Sequence, residues 1–494
     1  MKNRIKFGTD GWRGVIADDF TFENVRRVAQ ATADYWNSVV GQASRLSIAS
    51  TATGEPPVPL PEMCAIVGYD NRFLSETYAK LVCEVLAANG IKALYPSEAV
   101  PTPAVTFAVR DRKLAGAVMI TASHNPPQFN GYKLKAEFAG PADPEYCKQV
   151  EDRVDRSPVR SVRFDDGVGQ GSIELYDPRP AHVAEVKKFV DLKKIRSAGL
   201  RVVADSMHGC GSQLLETVLA GPRCRVQTIR ASRDPMFGGI NPEPISKNLG
   251  ALRAAVKKSR AHIGLATDGD ADRLGVVDDK GRYVSIQLVI AMLLLHLIRN
   301  HGKKSGLVVK STNCTVLVDR ICRRAGLEFV EVPVGFKHIC AQMRLHDVLL
   351  GAEESGGVGF QGHIPERDGI LANLMLLEML AIEKRKLSEV VTRLQKEFGA
   401  SAYDRIDMHY PLEKRDKLIE VLRTQPPKDL LGSTLAKVND SDGVKYIAKD
   451  DSWLMFRTSG TEPIIRIYSE AASAARVTKL LEYGKQLALK VAGT

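Results

Sequence analysis

The sequence predicts an α/β protein built from three successive, similar α/β domains with mixed sheets, followed by a C-terminal α+β domain. Short apolar runs alternate with amphipathic stretches along the chain, which is typical of βαβ units. The length of 494 residues also exceeds that of one ordinary domain. We therefore expect four domains, over residues 1–165, 166–282, 283–395 and 396–494.

Pairs of a predicted strand and a predicted helix support this division. In each pair a short apolar run predicts a strand, and the stretch after it predicts a helix. The pairs are 66–70 with 75–88, 200–205 with 212–219, and 306–310 with 314–325. Because the pairs recur at roughly hundred-residue intervals, duplicated domains are favoured over one large sheet.

Two polar stretches interrupt the alternation. Residues 40–60 are rich in Ser, Ala, Thr, Gly and Pro and lack periodicity, so we expect a surface insertion there. Residues 158–172 are polar and rich in Gly, which indicates an edge between the first and second domains. After Leu394 the apolar runs become shorter and Lys and Glu pairs appear, as in a separate α+β domain.

The composition is that of an ordinary globular protein, with 44% hydrophobic and 26% charged residues. The longest apolar run, Leu288–Ile298, is shorter than a membrane span and contains His296, so it predicts a buried helix. The N-terminus is basic without a following apolar region and does not match a signal peptide. Eight cysteines without a Cys-x-x-Cys pair indicate reduced thiols and a cytoplasmic location.

The formal net charge of +11 is the one unusual feature of the composition. Lys and Arg form no long run, and only 6% of residues are aromatic, so the pattern does not favour a nucleic-acid partner. A basic surplus also suits a small anion drawn into a cleft. We therefore expect a small anionic substrate, with neither a nucleic acid nor a membrane as partner.

The most informative stretch is the hexapeptide Thr121–Pro126, which follows the apolar run Leu114–Ile120. A tight loop at the end of a buried strand lifts Ser123 into a cleft, two prolines stiffen its exit, and Lys133 lies close in sequence. A serine held in this way can be a nucleophile or a phosphoryl carrier. The alternative is an ordinary polar turn, in which Ser, Asn and Pro are common.

A second motif places Asp268, Asp270 and Asp272 between two apolar runs, Ile263–Ala266 and Leu274–Val277. Three carboxylates at alternate positions can fold around one ion, and a hard cation such as Mg²⁺ prefers oxygen ligands. An EF-hand is a competing interpretation, but the loop is too short and lacks the distal glutamate. An acidic turn on a solvated hairpin is the other alternative.

The loop Gly351–Gly357 presents Glu353, Glu354 and Ser355 between glycines. Such a loop can bind sugar hydroxyls while its backbone approaches closely. A plain acidic loop is an equally good interpretation of this stretch alone.

The stretch Arg457–Pro463 combines a guanidinium, three hydroxyl side chains and a glycine, which suits a phosphate-binding turn. The alternative is a surface turn. Two further glycine-flanked loops, Gly8–Gly14 and Gly335–His338, each add a cation.

In this order the motifs resemble those of the α-D-phosphohexomutase superfamily, which includes phosphoglucomutases and phosphomannomutases. The resemblance runs from Phe7–Gly11 to Arg457–Thr461. It implies four domains around a central cleft, each contributing one loop. It also implies an isomerase that interconverts the 1-phosphate and 6-phosphate of glucose and/or mannose, with Mg²⁺ as cofactor. A hexose 1,6-bisphosphate is then both the intermediate and the activator.

The resemblance also implies a role for each motif residue. The catalytic residues are Ser123 as the phosphoserine, with Arg13, Lys133 and His124 beside it. The metal ligands are Ser123 through its phosphate, Asp268, Asp270 and Asp272. The substrate-binding residues are Arg273, Lys310, Lys337, Glu353, Ser355, Arg457, Ser459, Gly460, Thr461 and Arg466.

The identity of the sugar rests on finer detail. Phosphoglucosamine mutases usually carry Gln at the position of Glu354 and Ser at that of Thr121, so the resemblance favours the glucose/mannose branch. Gly335–Lys337 is similar to the glucomutase version of its loop, whereas Gly357 stands where many relatives have His. The alternatives are a phosphoglucosamine mutase, a non-catalytic sugar-phosphate sensor of the same fold, and a phosphatase with an Asp nucleophile. The assembly expected is a monomer or a homodimer.

Overall fold

The computed structural model describes residues 5–8, 11–50, 63–221, 223–458 and 463–493. The chain divides into two compact units, Met1–Tyr283 with Gly357–Lys384, and Val284–Gly356 with Arg385–Thr494. Within the described ranges, helices and strands follow one another as the fold-class prediction required, and that prediction is confirmed. No helix in these ranges has the length and hydropathy needed to cross a bilayer.

The first part of the chain forms a mixed sheet with helices on it. Its strands are β1 (Trp12–Val15), β2 (Cys64–Tyr69), β3 (Lys92–Tyr95), β4 (Gly116–Ile120), β5 (Phe129–Ala136), β6 (Gly140–Pro141) and β7 (Ile173–Leu175). Its helices are α1 (Phe22–Ser50), α2 (Ser75–Ala88), α3 (Thr102–Arg112), α4 (Pro144–Glu151), α5 (Phe164–Gly169), α6 (Arg179–Val186) and α7 (Leu192–Ser197). The strand order among the described residues is β1-β5-β4-β2-β3-β7, with β6 beside β5.

Two sequence-based boundaries change in this region. Strand β7 pairs in parallel with β3, Ala93 lying beside Ile173, so the first sheet extends past the predicted domain boundary at 165. Helix α1 continues to Ser50, so the first half of the predicted 40–60 insertion has a helical backbone. Residues 51–60 of that insertion lie outside the described ranges.

The second sheet places the aspartate motif at a strand end. Its strands are β8 (Arg201–Asp205), β9 (Arg225–Ile229), β10 (Ile263–Thr267), β11 (Leu274–Asp278) and β12 (Tyr283–Val284), with helices α8 (Leu214–Leu219) and α9 (Gly250–Ser259). Among the described residues the order is β12-β11-β10-β8-β9. Strands β10 and β8 are parallel, whereas β10 and β11 form an antiparallel pair. The six residues between β10 and β11 contain all three aspartates.

The chain then alternates helix and strand again. The next elements are α10 (Ile286–Arg299), β13 (Leu307–Ser311), α11 (Val316–Ala325), β14 (Phe329–Val332), α12 (Phe336–Leu345) and β15 (Val348–Ala352). Strand β13 is parallel to both β14 and β15. Helix α10 contains the predicted 288–298 run and is almost wholly buried, as expected for a core helix.

Residues 357–384 belong to the first unit and contain β16 (Val358–Phe360) and α13 (Gly369–Glu383). The remaining helices are α14 (Leu387–Phe398), α15 (Arg415–Thr424) and α16 (Ala474–Gly493). The last sheet contains β17 (Ala402–His409), β18 (Asp429–Leu430), β19 (Ser433–Asn439), β20 (Val444–Ala448), β21 (Trp453–Thr458) and β22 (Ile464–Ala471). It is antiparallel in the order β17-β22-β21-β20-β19-β18 among the described residues.

Helix α13 begins at a buried carboxylate that fixes its position in the first unit. Oδ1 of Asp368 accepts hydrogen bonds from the amides of Ile370 at 3.0 Å and Leu371 at 2.9 Å. Oδ2 accepts from Nε2 of His182 at 2.6 Å and of His363 at 2.9 Å. Burial opposes ionisation of Asp368, but the two imidazoles beside it outweigh that effect and lower its pKa well below the ordinary value.

We expect the Asp368→Asn variant to lower the unfolding temperature at pH 7 by about 5 °C, because asparagine keeps the helix cap but loses the charge-assisted bonds. The folded-state pKa of Asp368 is depressed, so its contribution is present above its unfolded pKa of about 4 and is lost as the pH falls below it. The difference in unfolding temperature between the wild-type protein and the variant should therefore shrink between pH 5 and pH 3.

Thermal melts of both proteins across this pH range test the expectation. Asp143→Asn, at the exposed cap of α4, is the matched control. A constant difference at every pH would contradict the assignment.

Candidate active site

Ser123 lies in the turn between β4 and β5, in a left-handed backbone conformation with φ of +53°. That region is costly for a residue with a Cβ atom, by about 1–2 kcal/mol, so the surrounding structure must hold it. The amide of Ser123 donates to Oγ1 of Thr121 at 2.8 Å, and its own Oγ donates to Oδ2 of Asp268 at 2.9 Å. The serine is fully buried in this state. Its hydroxyl therefore points at the aspartate motif.

The aspartate motif is a tight, buried turn. Asp268, Asp270 and Asp272 are all fully buried, and one oxygen of each lies within 4.8 Å of the others. Oδ1 of Asp268 accepts from the amide of Arg273 at 3.1 Å, while Oδ2 of Asp270 accepts from Oγ1 of Thr102 at 2.7 Å. Gly269 allows this turn to pack against the Ser123 loop. A Cβ atom at position 269 would lie 2.6 Å from the carbonyl oxygen of Ser123.

Two cations from other elements offset the charge of this turn, and Arg273 at its end adds a third, with Nε 3.8 Å from Oδ1 of Asp272. Nζ of Lys133, on β5, lies 3.0 Å from Asp270 and 3.6 Å from Asp272. Nη2 of Arg367 lies 2.8 Å from Oδ2 of Asp272. Burial opposes ionisation of Asp270, but Lys133 outweighs it and lowers the pKa of that carboxyl well below its ordinary value. Burial, then repulsion from the other two carboxylates, raises the pKa of Asp268 well above its ordinary value.

The turn fits a divalent cation. Oδ1 of Asp270 and Oδ1 of Asp272 are buried without a hydrogen-bond partner among the described residues. Oxygen atoms buried in this way are costly unless something positive meets them. All the candidate ligands are hard oxygen donors, the set that Mg²⁺ prefers. The residues present therefore fit the predicted metal, with Ser123 in contact with one of its ligands.

His124 and Arg273 lie beside the serine. Nη1 of Arg273 donates to Nδ1 of His124 at 2.7 Å, and the same Nδ1 lies 3.4 Å from Oγ of Ser123. Burial, and then the nearby cations Arg273, Arg13 and Lys133, lower the pKa of His124 well below its ordinary value. The imidazole is therefore neutral, with Nδ1 as an acceptor. Arg13 reaches the same loop, with Nη1 2.8 Å from Oδ1 of Asn125.

Sequence reasoning missed one charged segment of this site. Glu366 forms a buried ion pair with Lys135 of β5, Arg367 meets Asp272, and Asp368 binds the two histidines. The available signal was three consecutive charged residues directly before the apolar run of α13. This signal is weak, because charged residues are common at the start of a helix whether or not they have a partner. We call residues 366–368 the charged segment.

The predicted sugar loop lies in the second unit, after β15. Oε1 of the buried Glu353 accepts from the amide of Gly335 at 3.1 Å. Glu354 instead forms an ion pair with Arg405, 3.2 Å away, and accepts from the Tyr403 hydroxyl at 3.3 Å. Ser355 is half-buried on the same loop. The loop therefore joins the predicted Gly335 loop, and its two glutamates have different environments.

Arg457 and Lys337 lie on partly accessible surfaces of the same unit. Nε of Arg457, at the end of β21, lies 3.0 Å from Oδ2 of Asp442, which also accepts from the amide of Val334 at 2.8 Å. Lys337 lies in the first turn of α12 and is half-buried. Nε of Arg466 is 3.8 Å from Oδ2 of Asp407. The predicted phosphate-binding residues Ser459, Gly460 and Thr461 lie outside the described residues.

Lys310, predicted as a substrate contact, is buried among acceptors of the second unit. Its buried Nζ forms an ion pair with Asp319, lies 3.2 Å from Glu331 and donates to the carbonyl of Thr315 at 3.1 Å. Burial opposes its charge, but these carboxylates outweigh that effect and raise its pKa. All three donors of the ammonium group have acceptors here, and the substrate contact of Lys310 stays a prediction.

Family models match the chain in four consecutive segments, all described as phosphoglucomutase/phosphomannomutase. The segments are alpha/beta/alpha domain I at residues 60–160, alpha/beta/alpha domain II at 180–281, alpha/beta/alpha domain III at 287–398 and the C-terminal domain at 414–483. The chain belongs to the phosphoglucomutase/phosphomannomutase family. It is therefore an isomerase of the phosphohexomutase class, as the sequence predicted.

Individual relatives agree with this membership of the phosphoglucomutase/phosphomannomutase family. A phosphoglucomutase/phosphomannomutase of Thermococcus kodakarensis is 29% identical over 481 residues, covering 97% of this chain and 98% of the relative. A phosphoglucosamine/phosphogalactosamine mutase of Sulfurisphaera tokodaii is 28% identical, covering 94% and 95%. A crystal structure assigned as a phosphomannomutase of Thermus thermophilus has a TM-score of 0.83 and 36% identity, covering 99% of both chains.

We expect Asp270→Asn to weaken Mg²⁺ binding by about 100-fold and to depress turnover far more than substrate affinity, because one carboxylate fewer leaves a bound cation under-ligated. Calorimetric titration with Mg²⁺ and steady-state kinetics at several Mg²⁺ concentrations measure the two effects. Asp205→Asn is the matched control, since Asp205 also ends a strand of this sheet but pairs with Arg230. Activity that resists both the Asp270 substitution and EDTA would rule out the metal assignment.

Proposed function

We propose that this protein interconverts the 1-phosphate and 6-phosphate of a hexose, glucose and/or mannose, with Ser123 as the phosphoryl carrier. The observation that supports this most is the 2.9 Å contact between Oγ of Ser123 and Asp268 within a turn of three buried carboxylates. A hydroxyl beside a cation site is the arrangement that phosphoryl transfer requires, because the reaction depends on positioning and on charge compensation.

The proposed reaction has two balanced half-steps. In the first, the free hydroxyl oxygen of the hexose phosphate forms a bond to the phosphorus on Ser123. The bond from phosphorus to Oγ breaks, the hydroxyl loses its proton and Oγ gains one. The product is a hexose 1,6-bisphosphate, which also serves as activator when the serine is unphosphorylated. In the second half-step the other phosphate returns to Ser123 by the reverse chemistry.

The charged and ionisable side chains near Ser123 support this chemistry. Lys133, beside Asp270, and Arg13, in contact with the loop, can offset phosphoryl charge and assist proton movement. The neutral imidazole of His124 lies 3.4 Å from Oγ of Ser123. Arg273 donates to His124 and borders the same space. We propose Lys133, Arg13 and His124 as catalytic residues and Arg273 as a substrate contact.

We propose Mg²⁺ as the cofactor. Asp268, Asp270 and Asp272 would hold it together with the phosphate of Ser123. When bound, such a cation polarises phosphoryl oxygens and neutralises their charge. The protein's own part is the fixed set of buried oxygens described above, with Lys133 placed to limit their repulsion.

In the second unit we propose Glu353 and Ser355 as ligands of the sugar hydroxyls. The proposed phosphate ligands are Lys337, Arg457, Ser459, Gly460, Thr461 and Arg466. Support comes from the loop itself, where the buried Glu353 is oriented by the Gly335 amide at 3.1 Å and Ser355 beside it is half-buried. Arg457 is paired with a partly accessible aspartate, an ion pair that a dianionic phosphate can compete with.

A phosphoglucosamine mutase is the second candidate, because several relatives of near full-length coverage, the Sulfurisphaera tokodaii protein among them, are named as phosphoglucosamine mutases. Coupled assays with glucose 1-phosphate, mannose 1-phosphate and glucosamine 1-phosphate, each with a trace of the hexose 1,6-bisphosphate, distinguish the candidates. The branch proposed here gives the highest kcat/KM with glucose or mannose phosphate. A preference for the amino sugar would overturn it.

We also propose a cytoplasmic enzyme, monomeric or homodimeric, without a nucleic-acid or membrane partner. Support comes from the cysteines, since all eight are free thiols and most are buried. Reduced thiols are typical of a reducing compartment. Light scattering of the purified protein and its distribution between cell fractions test these two points.

Purified protein should carry substoichiometric phosphate on Ser123, because the enzyme must be charged before its first turnover. Intact mass and peptide mapping locate the group, and Ser123→Ala should lose nearly all activity. Ser161→Ala, at an exposed serine of the same region, is the matched control. Phosphate found on Asp268 or Asp270 would instead favour the phosphatase alternative.

Arg457→Ala should raise KM for glucose 1-phosphate by about tenfold or more and should also lower kcat. A guanidinium makes charge-assisted bonds to phosphate, and misplacing the distant phosphate also misplaces the reacting one. Steady-state kinetics together with a thermal melt measure this, with Arg423→Ala, an exposed arginine paired with Glu420, as control. Wild-type kinetics in the variant would show that the loop is only a surface turn.

A further inference from the structure

Arg72 is a fully buried arginine whose contacts converge on the Ser123 loop. It follows β2 and precedes α2, with the ring of Phe237 stacked 5.0 Å from its guanidinium carbon. Burial lowers its pKa, but an arginine remains charged in proteins, so a buried guanidinium needs compensation by acceptors. Its partners explain how the charge is accommodated.

The guanidinium uses every one of its five donors. Nε donates to Oδ2 of Asp70 at 3.1 Å. The other four hydrogen bonds reach main-chain carbonyls of the Ser123 loop: Ser123 at 2.7 Å, Asn125 at 2.7 Å, Pro126 at 2.8 Å and Phe129 at 3.0 Å. Because arginine has five N–H groups in one plane, no other side chain can satisfy this set.

The loop needs such a partner for two physical reasons. Proline has no amide hydrogen, so Pro126 and Pro127 cannot help to close the turn by donating, and Arg72 supplies donors to the carbonyls of the loop. Ser123 itself is in the left-handed region, a conformation that persists only when its surroundings impose it. Arg72 binds the carbonyl of that very residue.

Asp70 extends the same arrangement to the other side of Ser123. Its Oδ2 accepts from Oγ1 of Thr121 at 2.6 Å, and that Oγ1 in turn accepts from the amide of Ser123. Asp70 also accepts from Oγ of Ser75 at 2.9 Å. The amide and the carbonyl of Ser123 are therefore both connected to the Asp70–Arg72 ion pair, one through Thr121 and one directly.

We infer that Arg72 is a positioning residue for phosphoryl transfer, which fixes the backbone of Ser123 so that its Oγ faces the aspartate turn. This inference rests on the proposed role of Ser123. The hydrogen bonds of Arg72 go to Asp70 and to the carbonyls of the loop, and none goes to a carboxylate of the aspartate turn. These hydrogen bonds can therefore act on the reaction only by holding the loop in place.

The Arg72→Lys variant tests this inference, because lysine keeps the charge but lacks the planar set of five donors. We expect kcat to fall about 100-fold, the cost of misplacing a reacting group by roughly 1 Å, while KM for glucose 1-phosphate changes less than about threefold. Amide hydrogen exchange should rise in peptides covering residues 121–131 and stay unchanged in the rest of the unit. Arg230→Lys, in the Arg–Asp pair at Asp205, is the matched control.

Two results would overturn the inference. One is a folded Arg72→Lys protein with wild-type kcat, and the other is faster exchange throughout the unit, which would indicate a general structural role.

If Arg72→Lys does not fold, Thr121→Val tests the same arrangement, since it removes the hydroxyl between Asp70 and the Ser123 amide at nearly constant volume. It should give the same kcat loss and the same local exchange, and normal values would likewise overturn the inference. Absence of phosphate on wild-type Ser123 would refute the proposed function, whereas the exchange result would still report on the loop.

Discussion

Mutual repulsion among three buried carboxylates is the constraint on which the active site depends. Asp270 stays ionised because Lys133 is 3.0 Å away, whereas the pKa of Asp268 is raised by burial and by its neighbours. The compensating cations come from β5 and from the segment before α13, which are far apart in sequence. The turn can therefore reach its charge balance only after these distant parts of the first unit have folded together.

Much of the fold could be predicted from local pattern. Helix α2 spans the predicted residues 75–88, because an amphipathic stretch after a buried strand leaves few alternatives. The extension of the first sheet past residue 165 could not be predicted in this way, because β7 is only three residues long and too short to show an alternating pattern. Its membership in the first sheet depends on pairing with β3, a contact that no local window of sequence contains.

The residues of the candidate site likewise include some that a local sequence pattern reveals and others that it does not. Asp268, Asp270 and Asp272 could be found because their spacing within one turn is itself the signal. Arg367 could not, since its partner lies in another segment and its sequence neighbours show only a charged helix start. The surroundings of Lys310 were equally hidden, since sequence alone does not show that Asp319 and Glu331 lie beside it.

The charged segment 366–368 has a further consequence for how the chain reaches its native alignment. In order, its residues meet Lys135, Asp272 and the histidine pair His182 and His363. If each of these positions were occupied by the next residue along the chain, an arginine would face Lys135 and an aspartate would face Asp272, so that two attractions would become two repulsions. The alternating charges of this segment therefore favour the native alignment of α13 in the first unit.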